Sequence, residues 1–270
     1  MIPVLDNEKH YYISDDEVVK LLRHGKGWLD THPECDTIAW RYLKHNSRLT
    51  QTALLRLTPS PSPQEESVKP QPLREQRMQG VLNVLKEHNV QRVLDLGCGE
   101  GELLRRLLPD PQFTELVGLD ISPSALEKAK ERLDAMPERQ ARPVQLLHGS
   151  LTYRDRRLEG YDAACVIEVI EHIDPALLAY FEQALFGYAR PRIVVLTTPN
   201  REYNRLFGSL DPSAFRHPDH RFEWTRQQFS QWTEKTASRF GYHVKIQGVG
   251  PDDSTLGTPT QMGVFQRYDL

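Results

Sequence analysis

Val93-Leu-Asp-Leu-Gly97-Cys-Gly99-Glu-Gly101 is the stretch whose reading decides the fold. Val93 to Leu96 is a short apolar run of strand type, and three glycines at alternate positions then turn the backbone where side chains would obstruct it. Leu116 to Ile121 reads as a second strand, followed by Ser122 as helix N-cap and Pro123 at the first helical position. Val144 to Leu147 and Ala163 to Ile167 are further strands, and a helix over Ala176 to Tyr188 leads to a fifth, Arg192 to Thr197. Thr225 and Gln228 form a capping-box pattern opening a helix that ends near Gly241. His243 to Val249 and Met262 to Tyr268 are late strands. This alternation predicts an α/β fold with a doubly wound, mostly parallel sheet.

Working back towards the N-terminus, Leu73 to Glu87 is a helix with apolar Met78, Val81, Leu82, Val84 and Leu85. Thr58 to Pro72 holds five prolines in fifteen residues and reads as a linker or extended loop. Before it, Val18, Leu21, Leu22 and Leu29, then Ile38, Tyr42 and Leu43, recur at helical spacing. The expected organisation is a small helical arm over 1–57, a linker over 58–72 and a main domain over 73–270.

The apolar share of 39% and charged share of 26% are those of a soluble globular chain, and no apolar run reaches membrane-spanning length. The N-terminus lacks the charged and apolar regions of a secretory signal. Three distant cysteines, Cys35, Cys98 and Cys165, do not make a disulfide framework, so the expected setting is reducing and cytoplasmic. The net charge of −3 does not advertise a nucleic-acid binder. Its distribution says more: from Arg190 to Arg226 seven arginines and no lysine face four acids, a local charge of +3. Arginine suits bidentate contact with phosphate, although solvated surface arginines explain the count equally well.

In a doubly wound sheet, ligands bind beyond the carboxyl ends of the strands near the point where strand order reverses. The first strand carries Asp95 and runs into the glycines; the second ends in Asp120, twenty-five residues later, where an acid typically takes ribose hydroxyls. A dinucleotide loop would read G-x-G-x-x-G, whereas this one reads G-x-G-x-G. The pattern resembles motif I of the class I S-adenosylmethionine-dependent methyltransferases. The resemblance implies that Asp95, Gly97, Gly99 and Gly101 cradle the methionine part of the cofactor and that Asp120 binds its ribose. It also implies that Leu119 or Ile121 flanks the adenine, and that Gly149-Ser150-Leu151 contacts the adenine edge.

After the fourth strand comes Glu168-Val-Ile-Glu171-His172, and about fifty residues later His217-Pro-Asp-His220-Arg-Phe-Glu-Trp224. Oxygen ligands with one or two imidazoles and no thiolate suit a hard or borderline divalent ion such as Mg²⁺, Mn²⁺ or Co²⁺. Glu168, Glu171 and His172 fall within one helical turn, which would aim all three at one point. The first piece alone is equally compatible with small-molecule methyltransferases that carry E-V-x-E-H and bind no metal.

With Thr197-Thr-Pro-Asn-Arg-Glu-Tyr-Asn204, the second piece resembles the 3′-terminal RNA ribose 2′-O-methyltransferases, which act on plant microRNAs and animal piwi-associated RNAs. Bacterial members act beside an RNA-repair enzyme. The likeness runs from about Leu73 to Gly250. It implies S-adenosylmethionine and Mg²⁺ or Mn²⁺ as cofactors, with Glu168, Glu171, His172 and His220 as metal ligands. It implies an RNA with a free 3′-terminal 2′,3′-diol as substrate, a repair kinase/phosphatase/ligase as partner, and no membrane. His172 is the candidate to take the proton. The opening Ile2-Pro-Val-Leu-Asp-Asn-Glu-Lys-His-Tyr-Tyr resembles the stretch preceding the bacterial methyltransferase. Those proteins carry a further ligase-stimulating domain; nothing here is expected to correspond to it, so the chain reads as the C-terminal half of a longer protein.

Around these residues the sequence leaves roles open. His217 is a neighbouring group, an RNA contact or a surface residue. Asn200 reads as a turn residue, Phe222 and Trp224 as core, and Gln76 and Arg77 as helix surface; Arg201, Arg205 and Arg221 bind phosphate or solvent. A small-molecule O- or C-methyltransferase and a catalytically silent RNA-binding partner stand as rival readings.

Overall fold

The structure is a computed structural model that describes residues 15–30, 32–43, 47–57, 71–137, 144–207 and 214–268. The proline-rich stretch, apart from its last two residues, lies outside them. The chain divides into two compact units, Met1–Lys69 and Pro70–Leu270.

In the first unit, α1 (Asp15–Gly25), α2 (Cys35–Tyr42) and α3 (Ser47–Leu57) bury Val18, Leu21, Ala39, Leu49 and Ala53 in a core of their own, joined by Leu29 and Leu43 from the turns after α1 and α2. The helical spacing of those apolar residues builds that core, since residues three and four apart share a face.

The second unit begins with α4 (Leu73–Glu87), which leads to β1 (Arg92–Leu96). There follow α5 (Glu102–Leu107), β2 (Glu115–Asp120), α6 (Pro123–Asp134), β3 (Val144–His148) and β4 (Ala163–Ile167). Then come α7 (Leu178–Glu182), β5 (Ile193–Pro199), α8 (Arg226–Phe240), β6 (Tyr242–Val249) and β7 (Thr260–Arg267). The strand order is β3-β2-β1-β4-β5-β7-β6. The first five strands are parallel; β7 pairs antiparallel with both β5 and β6. Order reverses between β1 and β4, so the carboxyl ends of these two strands flank the expected ligand crevice.

Strand alternation divides the core into two layers. Val93, Ile193 and Val195 meet Met78, Val81 and Leu85 of α4 on one face. Leu94, Val194 and Leu196 meet Phe181, Phe186 and Phe229 on the other. Burying one such side chain contributes roughly 1.5–3 kcal/mol, which makes this sheet a rigid platform for the loops at its edge.

Local signals in the sequence act as read. Ser122 accepts a hydrogen bond from the Ala125 N–H at 3.3 Å, with Pro123 opening α6. The Thr225–Gln228 capping box is complete in both directions, and Gly241 ends α8 in the left-handed conformation. The helix expected over 176–188 differs in pitch: a 3₁₀ turn at Pro175–Leu177 precedes α7, and Gln183–Ala189 continues it as a π-helix. It still turns Phe181, Leu185, Phe186 and Ala189 into the core.

Candidate active site

Gly97, Gly99 and Gly101 all adopt positive φ, at 80°, 51° and 77°. At Gly97 the requirement is doubled, because a Cβ would lie 2.5 Å from Val169. Asp120, at the end of β2, holds the loop: its carboxylate accepts from the Gly99 N–H and the Ser122 N–H, each at 2.8 Å. Asp95 is buried beneath, and that burial, with Asp120 nearby, pushes its pKa up to about 7. Beside the loop lies a cavity of about 420 Å³, lined among others by Asp120, Ile121, Ser150, Leu151, Glu168 and His172. Of the cofactor residues expected from the sequence, Gly97, Asp120, Ile121, Ser150 and Leu151 line this space, whereas Asp95, Gly99 and Gly101 do not. Ile121, 69% exposed, stands at its rim.

The other half of the site starts at the end of β4. Glu168 has φ of 55°, the left-handed region, which costs a non-glycine residue roughly 1–3 kcal/mol. The conformation is held from β5: the Glu168 N–H donates to the Thr197 carbonyl and to Thr197 Oγ1, both at 3.1 Å. Thr197 Oγ1 in turn donates to Glu168 Oε1 at 3.1 Å, and Arg77 Nη1 forms an ion pair with the same carboxylate. The expectation that one helical turn aims Glu168, Glu171 and His172 together is thus corrected. The chain reverses hand at Glu168 before a 3₁₀ turn at Ile170–His172, and the Glu168 carboxylate turns to Arg77.

Glu171, His172 and His220 do converge, each offering a donor atom within 4.8 Å of the others. Glu171 is fully buried; Oε2 accepts from Thr198 Oγ1 at 3.1 Å, while Oε1 is buried with no hydrogen-bond partner. Burial and the nearby Glu168 push the Glu171 pKa well above the carboxylate range. The unpartnered Glu171 oxygen is free to act as a ligand, and with two imidazoles beside it this donor set fits a divalent ion. Burial and the adjacent His220 lower the His172 pKa, favouring the neutral imidazole that ligates metals or accepts a proton.

His220 is positioned by a buried network. Its Nδ1 shares a 2.6 Å hydrogen bond with Glu223 Oε1, which leaves Nε2 for a ligand in the carboxylate–histidine arrangement typical of metal sites. Glu223 also accepts from Asn204 Nδ2 at 2.5 Å and from the Arg216 N–H at 2.7 Å. Arg216 Nε donates to Asn204 Oδ1 at 2.5 Å, and its Nη2 to the Asn200 carbonyl at 2.7 Å. The Arg221 N–H donates to the Glu171 carbonyl at 2.7 Å, which fastens the histidine segment to the Glu171 turn. His217 is exposed, its ring 6.1 Å from that of His172.

Two models of protein families match this chain. One, described as "RNA repair, ligase-Pnkp-associating, region of Hen1", matches residues 1–58; the other, "Methyltransferase domain", matches residues 94–188. The crystal structure of the methyltransferase domain of bacterial CtHen1-C is 49% identical, with a TM-score of 0.67, covering 73% of this chain and 100% of that one. The chain belongs to the Hen1 family. Curated Hen1 relatives carry the name small RNA 2′-O-methyltransferase. The Rattus norvegicus protein is 40% identical over 205 residues, covering 73% of this chain and 51% of the relative; the Arabidopsis thaliana protein is 32% identical over 226 residues, covering 77% and 24%. The chain thus spans about half the length of the first of these relatives, or less. The match over residues 1–58 overturns the expectation that nothing here corresponds to the ligase-associated region of bacterial Hen1.

Several residues carry more of this site than their sequence suggested. Arg77, read as helix surface, is largely buried and reaches both Glu168 and Thr260 Oγ1, the latter at 3.3 Å. Arg216 and Glu223 lie in segments already quoted for other reasons; a carboxylate three residues after a ligand histidine was the available signal for Glu223. Asn200 is a turn residue as read: its amide donates to the Leu256 and Thr258 carbonyls at 2.8 and 2.9 Å. Phe222 and Trp224, 4.5 Å apart, pack against the core. The three cysteines are free. No helix among the described residues is long and apolar enough to cross a membrane.

Proposed function

We propose that this chain transfers a methyl group from S-adenosylmethionine to the 2′-hydroxyl of the 3′-terminal ribose of RNA, within a bacterial RNA-repair system. The observation that carries the reading is His172, which belongs to the Glu171–His172–His220 cluster and also lines the cofactor cavity. A metal cluster and a methyl-donor pocket that share a side chain suit one reaction centre.

Glu171, His172 and His220 would hold Mg²⁺ or Mn²⁺; Glu168, the fourth ligand expected from the sequence, is paired with Arg77 beside them. Held there, such an ion would supply Lewis acidity to the terminal ribose. Asp120 orients the cofactor ribose, and the glycine loop admits the methionine part close to the backbone. The bound cofactor would supply an activated methyl group, the new O–C bond to the 2′-oxygen replacing the C–S bond, whose electron pair stays with sulfur. The proton would leave the 2′-hydroxyl for solvent, because the single lone pair of a neutral His172 imidazole, the candidate base, would be engaged by the ion. Recognition of both hydroxyls makes a free 3′ end part of the activation. The match over residues 1–58 supports a repair kinase/phosphatase/ligase as partner, and the free cysteines suit a reducing cytoplasm.

Labelled cofactor and short RNAs differing only at the end test this reading. A natural diol should accept methyl, a 2′-deoxy end none, and a 3′-phosphate or 3′-deoxy end far less. Chelation by EDTA should stop transfer and Mn²⁺ restore it. Full activity in excess chelator, or equal rates on diol and 3′-phosphate ends, would sink the proposal and favour a small-molecule methyltransferase.

A further inference from the structure

A second cavity, of about 640 Å³, opens where the start of α4, the 3₁₀ turn Glu202–Leu206 and the β6–β7 connection meet. Gln71, Gln76, Tyr203, Phe207, Pro251 and Pro259 line it. The Tyr203 and Phe207 rings lie 5.9 Å apart, and Phe207 is 38% exposed. Aromatic and proline rings present flat apolar surface, and two carboxamides add donors and acceptors at its edge. Proteins capture unpaired nucleobases with this combination: a π-face to stack on and amides for the base edge.

Two chains of residues lead from the cavity towards the ligand cluster, one of them by way of Glu168 beside it. Gln76 precedes Arg77, whose guanidinium pairs with Glu168. Phe207 lies under the Arg216 guanidinium, 5.0 Å from its ring centre, and Arg216 is joined through Glu223 to His220. Arg201 and Arg205 are exposed on the turn that presents Tyr203 and Phe207, with Glu202 between them and Asp252 beside Pro251; the two guanidinium groups offer contacts suited to a phosphate backbone. An aromatic slot with exposed arginines on the adjoining turn suits a nucleic-acid strand better than a neutral peptide.

The geometry points to this cavity as the seat of an unpaired RNA base, contributed by one of the two nucleotides preceding the terminal one. The inference rests on the proposed function. It makes the enzyme a reader of a short single-stranded 3′ end: the terminal ribose enters the ligand cluster, and a base behind it is stacked on Phe207. Base pairing at that position would compete with methylation.

Kinetics with abasic RNAs test it on the full chain. One RNA keeps all bases; the others lack a single base at the second, third, fourth or fifth position from the 3′ end. For the wild-type protein, removal of the base at the second or third position should raise KM by roughly five- to hundredfold and leave the fourth and fifth nearly unchanged. Phe207→Ala should raise KM on intact RNA by a similar factor and abolish the abasic penalty, since base and ring then no longer meet. Phe207→Trp should restore both. No penalty at the second and third positions, or a penalty that persists undiminished in Phe207→Ala, overturns the base site. So does a Phe207→Ala variant that loses kcat alone, which would mark the ring as a prop for Arg216. Failure of the wild type to methylate intact RNA overturns the proposed function and this inference with it.

Discussion

The cofactor side of the site draws its groups from short βα turns, with Gly97–Gly101 following β1 and Asp120–Ser122 following β2, bonded directly to one another. The side proposed to hold the metal draws on α4, the ends of β4 and β5, and the loop before α8, and is assembled by side chains from distant parts of the chain. The first half is mostly backbone geometry, so a substitution in it acts locally. The second is a chain of buried charges, where leaving one partner unmatched costs several kcal/mol. Local construction makes a binding pocket robust; distributed construction makes the reacting centre depend on the whole fold.

The sharpest way to separate the halves is Glu171→Gln. It should abolish methyl transfer to RNA while calorimetry shows cofactor affinity close to wild type. Equal loss of both would mean that the two sides are not independent. Next in size, Glu223→Gln should weaken activation by Mn²⁺ roughly 10–100-fold, because His220 loses the carboxylate that orients it. A metal titration followed by activity checks this, and an unchanged midpoint would remove Glu223 from the metal side.

On the cofactor side, Asp120→Ala removes an acceptor whose charge-assisted bonds contribute roughly 1.5–3 kcal/mol each before desolvation. Cofactor binding should weaken about tenfold or more by this measure, with Mn²⁺ binding unaffected. A last effect concerns stability rather than binding or turnover. The Asp95 pKa is raised to about 7 in the fold, against about 3.9 unfolded. The native state therefore holds an extra proton across that window, and this contribution to stability is present at low pH and lost as pH rises towards 7. Asp95→Asn should flatten the change in Tm between pH 5 and pH 8, measured by differential scanning calorimetry; an unchanged slope would show that Asp95 is ionised throughout.

The same contrast explains what could be read in the sequence. The glycine loop, Asp120, Ser122 and the capping box are local signals with local causes, and they appear at the residues expected. Glu171, His172 and His220 were legible through residue type and family likeness. Arg77 and Arg216 were not, since no spacing distinguishes a buried arginine from a solvated one. Helical spacing misled at Glu168, because a single left-handed residue changes where the next four side chains point. Sequence periodicity carries no trace of such a reversal when the residue is not glycine.

Placement of β7 between β5 and β6 has a consequence for folding order. In the chain β6 comes first, yet it reaches the sheet only through β7, which must enter antiparallel between its two neighbours. Thr260 and Gln261 at the start of β7 also serve the site: Thr260 accepts from Arg77, and Gln261 donates to the Pro199 and Trp224 carbonyls. On the ribosome the glycine loop can form early, whereas the α4 and β5 sides of the metal centre gain these contacts only after β7 emerges. A nascent chain arrested before Thr260 should thus protect β1–β5 from proteolysis while leaving the histidine segment open to cleavage.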